Sequence, residues 1–179
     1  MVSGPGLTPK KQTFLSEQIQ HEQSLERMSQ AFGDDLLPGM YCMPHYVMPK
    51  PHSDNWRLVN DLSAGDFSPN SMIDHSCVTG YPMDTLSHLG DLLLRKLKEN
   101  PEMELLIWKL DISEAYQICP MHELWQLKHI VRLQEGLCID RVNMFGGSLS
   151  GPIFISFNVL TSWIARFKHL IESLAYIDD

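Results

Sequence analysis

Three observations predict an α+β protein. Apolar residues recur at helical spacing near residues 8–33, 84–99 and 151–167. Shorter runs with the composition of strands lie between them, at 41–49, 56–61 and 104–111. The two kinds of segment follow no regular strand–helix–strand repeat, so a doubly wound parallel sheet is not expected.

Taken in order, Thr8-Pro9 has the form of a helix start, with Thr8 as N-cap and Pro9 at the first helical position. Leu15, Ile19, Leu25, Met28 and Phe32 then recur at roughly helical spacing as far as Gly33. This predicts an amphipathic helix packed on the main body, in an N-terminal extension over residues 1–36. The main domain is expected over 37–179. In it, Tyr41-Cys42-Met43-Pro44-His45-Tyr46-Val47-Met48-Pro49 reads as extended, because each proline biases its predecessor away from the helix. Ser53-Asp54-Asn55 is a turn signal, and Trp56-Arg57-Leu58-Val59-Asn60-Asp61 reads as a second strand. The pair predicts a β-hairpin with Lys50 before the turn and Arg57 just after it.

A loop rich in Gly, Ser, Pro and Asn follows through Asn70. Leu86, Leu89, Leu93 and Leu97 share a helical face over 84–99, and Asn100-Pro101 ends that helix. Residues 104–111 predict a short apolar strand ending in Asp111. Residues 151–167 predict a buried amphipathic helix, and 170–179 a further strand.

The chain has 179 residues, of which 44% are hydrophobic and 20% charged, the balance of a globular protein. Met1-Val2-Ser3-Gly4-Pro5-Gly6 lacks the basic start and apolar run of a signal peptide. The most apolar stretch, 153–167, is shorter than the ~20 residues of a membrane span. A soluble, intracellular protein is expected. Cys42, Cys77, Cys119 and Cys138 are too unevenly spaced for a zinc pattern, even with His122 and His129, and are expected as free thiols. The net charge of −8 argues against a free-standing nucleic-acid binder, since phosphate neutralisation supplies most of such affinity.

Carboxylates carry the chemical signal. Trp108-Lys109-Leu110-Asp111 delivers an aspartate to the end of an apolar run, and Leu174-Ala175-Tyr176-Ile177-Asp178-Asp179 delivers two more. Neighbouring residues on a strand face opposite ways, so Asp178 and Asp179 serve one site only where the backbone turns. Alone, an Asp-Asp pair is most often a solvated acidic run.

In company, these residues resemble reverse transcriptases. Tyr176-Ile177-Asp178-Asp179 resembles their YxDD signature, and Leu110-Asp111-Ile112-Ser113-Glu114-Ala115-Tyr116 their first palm motif. Phe145-Gly146 leading into Pro152-Ile153-Phe154 resembles the loop-to-helix motif between the two. Lys50-Pro51 and Trp56-Arg57-Leu58-Val59-Asn60-Asp61-Leu62 resemble the fingers hairpin. All four occur in the family's order over about residues 40–179, in wording similar to retroelement polymerases of fungal genomes.

The resemblance implies a polymerase fingers and right-hand palm, and an RNA-directed DNA polymerase. It implies two Mg²⁺ ions, or Mn²⁺, held by Asp111, Asp178, Asp179 and the carbonyl of Ile112. Such ions activate the attacking hydroxyl and stabilise the leaving group. Lys50 and Arg57 would face the triphosphate. Ala115, Tyr116, Phe145 and Gly146 would line the nucleotide pocket, with Tyr116 excluding a 2′-hydroxyl, and Ile177 would touch the primer end. The implied partners are an RNA or DNA template with its primer and deoxynucleotides. A thumb, and an RNase H or recombinase/integrase domain, would complete the enzyme. The resemblance breaks off at Asp179, so chain 1–179 alone is expected to be inactive in template-directed synthesis. Two residues depart from the pattern: Met144 stands where a proline is usual, and Ser148 where a longer polar or basic side chain is common. The competing expectations are a decayed retroelement fragment serving as a binding module, and an RNA-dependent RNA polymerase, which Tyr116 fits less well.

Overall fold

Ile130-Val131-Arg132-Leu133 and Leu137-Cys138-Ile139 flank Gln134-Glu135-Gly136, the composition of two buried strands around a tight turn. They form the antiparallel pair β4 (Ile130–Leu133) and β5 (Gly136–Ile139), in register from Ile130↔Ile139 to Leu133↔Gly136. The expectations above passed over this hairpin, although its β-branched run and glycine are a readable signal. Gly136 has φ +128°, a conformation that side chains resist. The computed structural model describes residues 8–78 and 83–176, without the side chain of Cys77.

Both flanks of this hairpin are covered. On one, β1 (Cys42–Met43) pairs in parallel with β4, Cys42 beside Ile130. On the other, residues 28–33 run along β5. The Ser29 N–H donates to the Ile139 carbonyl (2.9 Å), Phe32 to Leu137 (3.0 Å), and Leu137 in return to Gly33 (2.7 Å). Ser29 Oγ also accepts from the Ile139 N–H at 2.9 Å. Met28, Met43, Leu62, Val131, Cys138 and Met144 close over the sheet as the core, with Ile19, Tyr41 and Leu133 against them.

This pairing corrects the reach of the first helix. α1 (Pro9–Ser24) begins as expected, with Thr8 extended before Pro9, but ends well short of Gly33. Glu26 has φ +58°, which turns the chain out of the helix. The backbone of 28–33 then bonds to β5, and such tertiary partners outweigh helix propagation, which adds one bond per residue. Phe14, Leu15, Ile19 and Glu22 lie on the half-buried or buried face of α1.

The predicted hairpin forms. β2 (His45–Pro49) pairs antiparallel with β3 (Trp56–Asn60), Met48 opposite Arg57. His45 and Val47 are buried, while Tyr46 and Met48 face solvent, the alternation of a half-buried strand. α2 (Leu86–Glu99) is capped by Thr85, whose Oγ1 accepts from the His88 N–H. α3 (Glu123–Gln126) is one short turn. α4 (Ser150–His169) forms the expected third helix and ends at Leu170, φ +55°, but it is not the buried helix expected. Only Ser150 and Phe154 are buried, and Phe157, Leu160, Trp163 and Phe167 are at least half exposed, because no described element covers that face. Glu172 gathers Arg95 (3.2 Å), Lys96 (3.5 Å) and Arg166 (3.7 Å), linking α2 to the chain after α4.

Two predicted strands are absent from the described residues. Residues 104–111 form no strand, and Leu106 and Trp108 are 89% and 60% exposed. A strand is made by a neighbour that closes its ladder, and no described strand lies beside this one. Residues 170–176 are likewise not a strand. Besides the Glu172 ion pairs, they are held to the residues before α2, where Asp84 and Ala175 exchange two hydrogen bonds. Residues 177–179 lie outside the described residues. The observed class is a mixture of helices and small sheets. Cys42, Cys119 and Cys138 are free thiols. Among the described residues, no helix is long and apolar enough to cross a membrane.

Two titratable groups sit side by side at the open end of the β4–β5 hairpin. Burial raises the Asp140 carboxyl to about 7; the Val142 N–H pulls the other way, and Glu22 adds to the rise. Burial lowers the His129 imidazole to about 4. Asp140 in the folded chain therefore holds a proton that the unfolded chain loses near 3.8, so stability falls as pH rises from about 4 through 7. His129 acts in the opposite sense: its contribution is full above about 6.5 and is lost as pH falls toward 4. Asp140→Asn keeps the acceptor for Val142 and removes the titration. Its urea-unfolding stability should match wild type near pH 4 and exceed it increasingly up to pH 8. A pH-independent difference would show that the carboxyl does not titrate in this range.

Gly136→Ala should destabilise by about 2–3 kcal/mol, because backbone strain is added to a steric clash. The new Cβ would stand 2.9 Å from the Gly33 carbonyl oxygen at a positive φ. Chemical denaturation measures this directly, and an unchanged midpoint would mean that 28–33 is not held against β5.

Candidate functional site

The apolar run ending at Asp111 passes into a turn over residues 113–118. Glu114 has φ +54° there, and its carbonyl accepts from the N–H groups of Gln117 (2.8 Å) and Ile118 (3.3 Å). The conformation is unusual for a residue with a Cβ. Arg27 holds it from outside, its guanidinium donating to Glu114 Oε2 at 2.6 Å and lying 3.8 Å from Glu22 Oε2. Downstream, the turn is fastened to the chain after β5: Asn143 N–H donates to the Cys119 carbonyl (3.0 Å) and Met121 N–H to Arg141 (2.8 Å). The segment bearing Asp111 is thus tied to the N-terminal region and to residues 141–143.

Tyr116 leaves this turn half-buried and meets the second motif. Its ring lies 4.7 Å from that of Phe145, tilted by 58°, and 5.8 Å edge-on from Phe154 in α4. Such tilted and edge-on contacts suit the ring quadrupoles. Phe145 remains 62% exposed, so the cluster has a buried side at Phe154 and an open side at Phe145. Gly146, φ +91°, follows at once; a Cβ on it would meet Leu62 at 3.9 Å. A Cβ on Gly151 would come within 4.0 Å of the Tyr116 hydroxyl. Tyr116, Phe145 and Gly146, taken from two separate motifs, are brought together. Ala115 is half-buried beside them in sequence.

Asp111 and Ile112 are exposed, and Asp111 has no hydrogen-bond or ion-pair partner among the described residues. The Lys50 and Arg57 side chains are exposed near the tip of the β2–β3 hairpin, also without such partners, and no described bond joins them to Asp111. Lys50 N–H donates to the Asn55 carbonyl at 2.8 Å, closing the turn. Ile177, Asp178 and Asp179 lie outside the described residues, and with them the rest of the expected carboxylate cluster. Among the described residues no group of three His, Cys, Asp or Glu could hold a metal ion. What the described part offers is an exposed carboxylate and a neighbouring carbonyl, oxygen donors of the kind a hard divalent cation takes.

Arg27, Asn60 and Asn70 also make contacts here, although the sequence assigns none of them a site role. Asn60 Nδ2 donates to Met144 Sδ at 2.9 Å, where the resemblance would have a proline. Asn70 reaches Gly146 and Ser148. None of the three carries a local signal, because each is defined by a partner far along the chain. No protein-family model matches the sequence, and no curated protein matches it.

Arg27→Ala should lower stability by about 1–3 kcal/mol, since buried Glu22 loses a cation and the Glu114 turn loses its anchor. Hydrogen exchange at Gln117 and Ile118 should quicken in the same variant. Unchanged exchange there would mean that the turn holds itself.

Proposed function

We propose that the chain is the fingers-and-palm part of a retroelement reverse transcriptase, which binds a deoxynucleoside triphosphate with Mg²⁺ for transfer to a primer 3′ end. The reading rests on the ring contact between Tyr116 and Phe145, with Gly146 beside them and Phe154 behind. An aromatic wall with one open side suits a sugar and base, and the Tyr116 ring would exclude a 2′-hydroxyl. Asp111 and the Ile112 carbonyl, with Asp178 and Asp179, would hold the cations, which supply charge neutralisation on the transferring phosphate. Lys50 and Arg57, both without a counter-charge among the described residues, would meet the triphosphate as the hairpin tip closes. Template and primer, a thumb, and an RNase H or recombinase domain belong to the same reading, as does an intracellular setting.

A second reading, a non-catalytic interaction module of retroelement origin, is favoured by one observation. Leu106, Ile107, Trp108 and Leu110 form an exposed apolar run beside Asp111.

Titration of chain 1–179 with dTTP or 5-methyl-UTP, which differ only at the 2′ position, with and without Mg²⁺, tests the first reading. Mg²⁺-dependent binding that prefers dTTP is expected. Asp111→Asn should weaken the Mg²⁺ dependence, and Tyr116→Val should narrow the dTTP preference about tenfold, the effect of ~1.4 kcal/mol. Absence of Mg²⁺-dependent nucleotide binding would sink the polymerase reading and leave the interaction module.

A further inference from the structure

Asn70 uses both ends of one side-chain amide on a single loop. Its Nδ2 donates to the Gly146 carbonyl at 2.8 Å, and its Oδ1 accepts from the Ser148 N–H at 2.9 Å. These are the two backbone groups flanking Gly147, so the planar amide spans that residue as a neighbouring strand would. The second Nδ2 hydrogen goes to Ser63 Oγ at 2.9 Å, and the Asn70 backbone N–H to the Leu62 carbonyl at 3.0 Å. Ser68 and Pro69, just before it, are fully buried. Asn70 is itself fixed on every side.

The loop it holds has need of an outside restraint. Gly146 and Gly147 are adjacent glycines, the residues with most conformational freedom to lose. Within the loop, Gly147 N–H to Met144 carbonyl (3.3 Å) and Ser150 N–H to Gly147 carbonyl (3.0 Å) restrain the backbone on one side only. Phe145 immediately precedes these glycines and is mostly exposed, so its contact with Tyr116 depends on where the loop backbone lies.

We propose that Asn70 is a positioning residue. Its amide sets the Gly146-Gly147-Ser148 backbone, that backbone holds Phe145 on Tyr116, and the paired rings set the sugar selectivity of the pocket. The last step rests on the polymerase reading; the first two do not. Small displacements matter in such sites, where ~1 Å of misplacement can cost ~100-fold.

The test compares wild-type chain 1–179 with Asn70→Ala and Asn70→Asp. The aspartate variant retains an acceptor for Ser148 but sets an acceptor against the Gly146 carbonyl. Three quantities are read: Ser148 amide exchange against β4 amides, the ring-current shifts of Tyr116 and Phe145 without ligand, and the affinity ratio of dTTP to 5-methyl-UTP with Mg²⁺. Asn70→Ala is expected to speed Ser148 exchange at least tenfold relative to β4 and to displace the ring shifts. Asn70→Asp should move the ring shifts while sparing more of the Ser148 protection, and it serves alone if the alanine variant does not fold. Both should lower the ratio of dTTP to 5-methyl-UTP affinity by about tenfold, the effect of ~1.4 kcal/mol. Unchanged Ser148 exchange and ring shifts would overturn the proposal. A loosened loop with an unchanged ratio would also overturn it, reducing Asn70 to a structural role. A loosened loop in a protein whose wild type binds neither nucleotide would uphold the positioning of Phe145 and overturn the polymerase reading instead.

Discussion

The β4–β5 hairpin is the constraint on which the other elements depend. Ile130, Val131, Leu137 and Cys138 are all essentially inaccessible to solvent, so the hairpin cannot present a bare edge. Unpaired N–H and C=O groups in such surroundings are costly, and the chain supplies partners on both sides. β1 meets β4, and residues 28–33 meet β5. The second requirement stops α1 at Ser24, because the same residues cannot propagate a helix and line a strand. The first brings Met43 into the core and so fixes where the β2–β3 hairpin departs.

From that sheet the candidate site is positioned at second hand. The chain leaving β5 bonds to residues 119–121, which fixes the turn after Asp111, and Arg27, just before the strand-like segment 28–33, grips the same turn at Glu114. Met144 then plugs the core, and the next residue, Phe145, emerges against Tyr116. An unbroken series of backbone bonds and buried side chains thus runs from the hairpin to the aromatic pair. Glu22 and Asp140 show what this costs: carboxyl groups are drawn under the N-terminal segment, and burial keeps Asp140 protonated up to about 7.

Away from this centre, the molecule is unevenly covered. Leu106, Ile107, Trp108 and Leu110 are largely exposed, and Phe157, Leu160, Trp163 and Phe167 of α4 are at least half exposed. Both are patterns of residues that ordinarily lie under something else. The acidic balance bears on the polymerase reading in the same way. A net charge of −8 gives this chain little general attraction for polyanions, so nucleic acid would have to be held by specific contacts.

What the sequence determined by itself is what depends on near neighbours. Thr8-Pro9 starts α1, Thr85 caps α2 and the turn residues around Ser53 close the β2–β3 hairpin, because capping and turn formation involve groups within four residues or so. The aromatic and glycine residues at 116, 145 and 146 were legible as types, through their wording. Tertiary structure decided the rest. Residues 25–33 have helical spacing yet pair with β5, and 104–111 have strand composition yet pair with nothing described. In each case the outcome turns on a partner distant in sequence, which local pattern does not encode. The same holds for Arg27 on Glu114 and Asn70 on Gly146: ordinary residues in themselves, whose roles follow from hydrogen bonds that exist only once the distant segments are packed together.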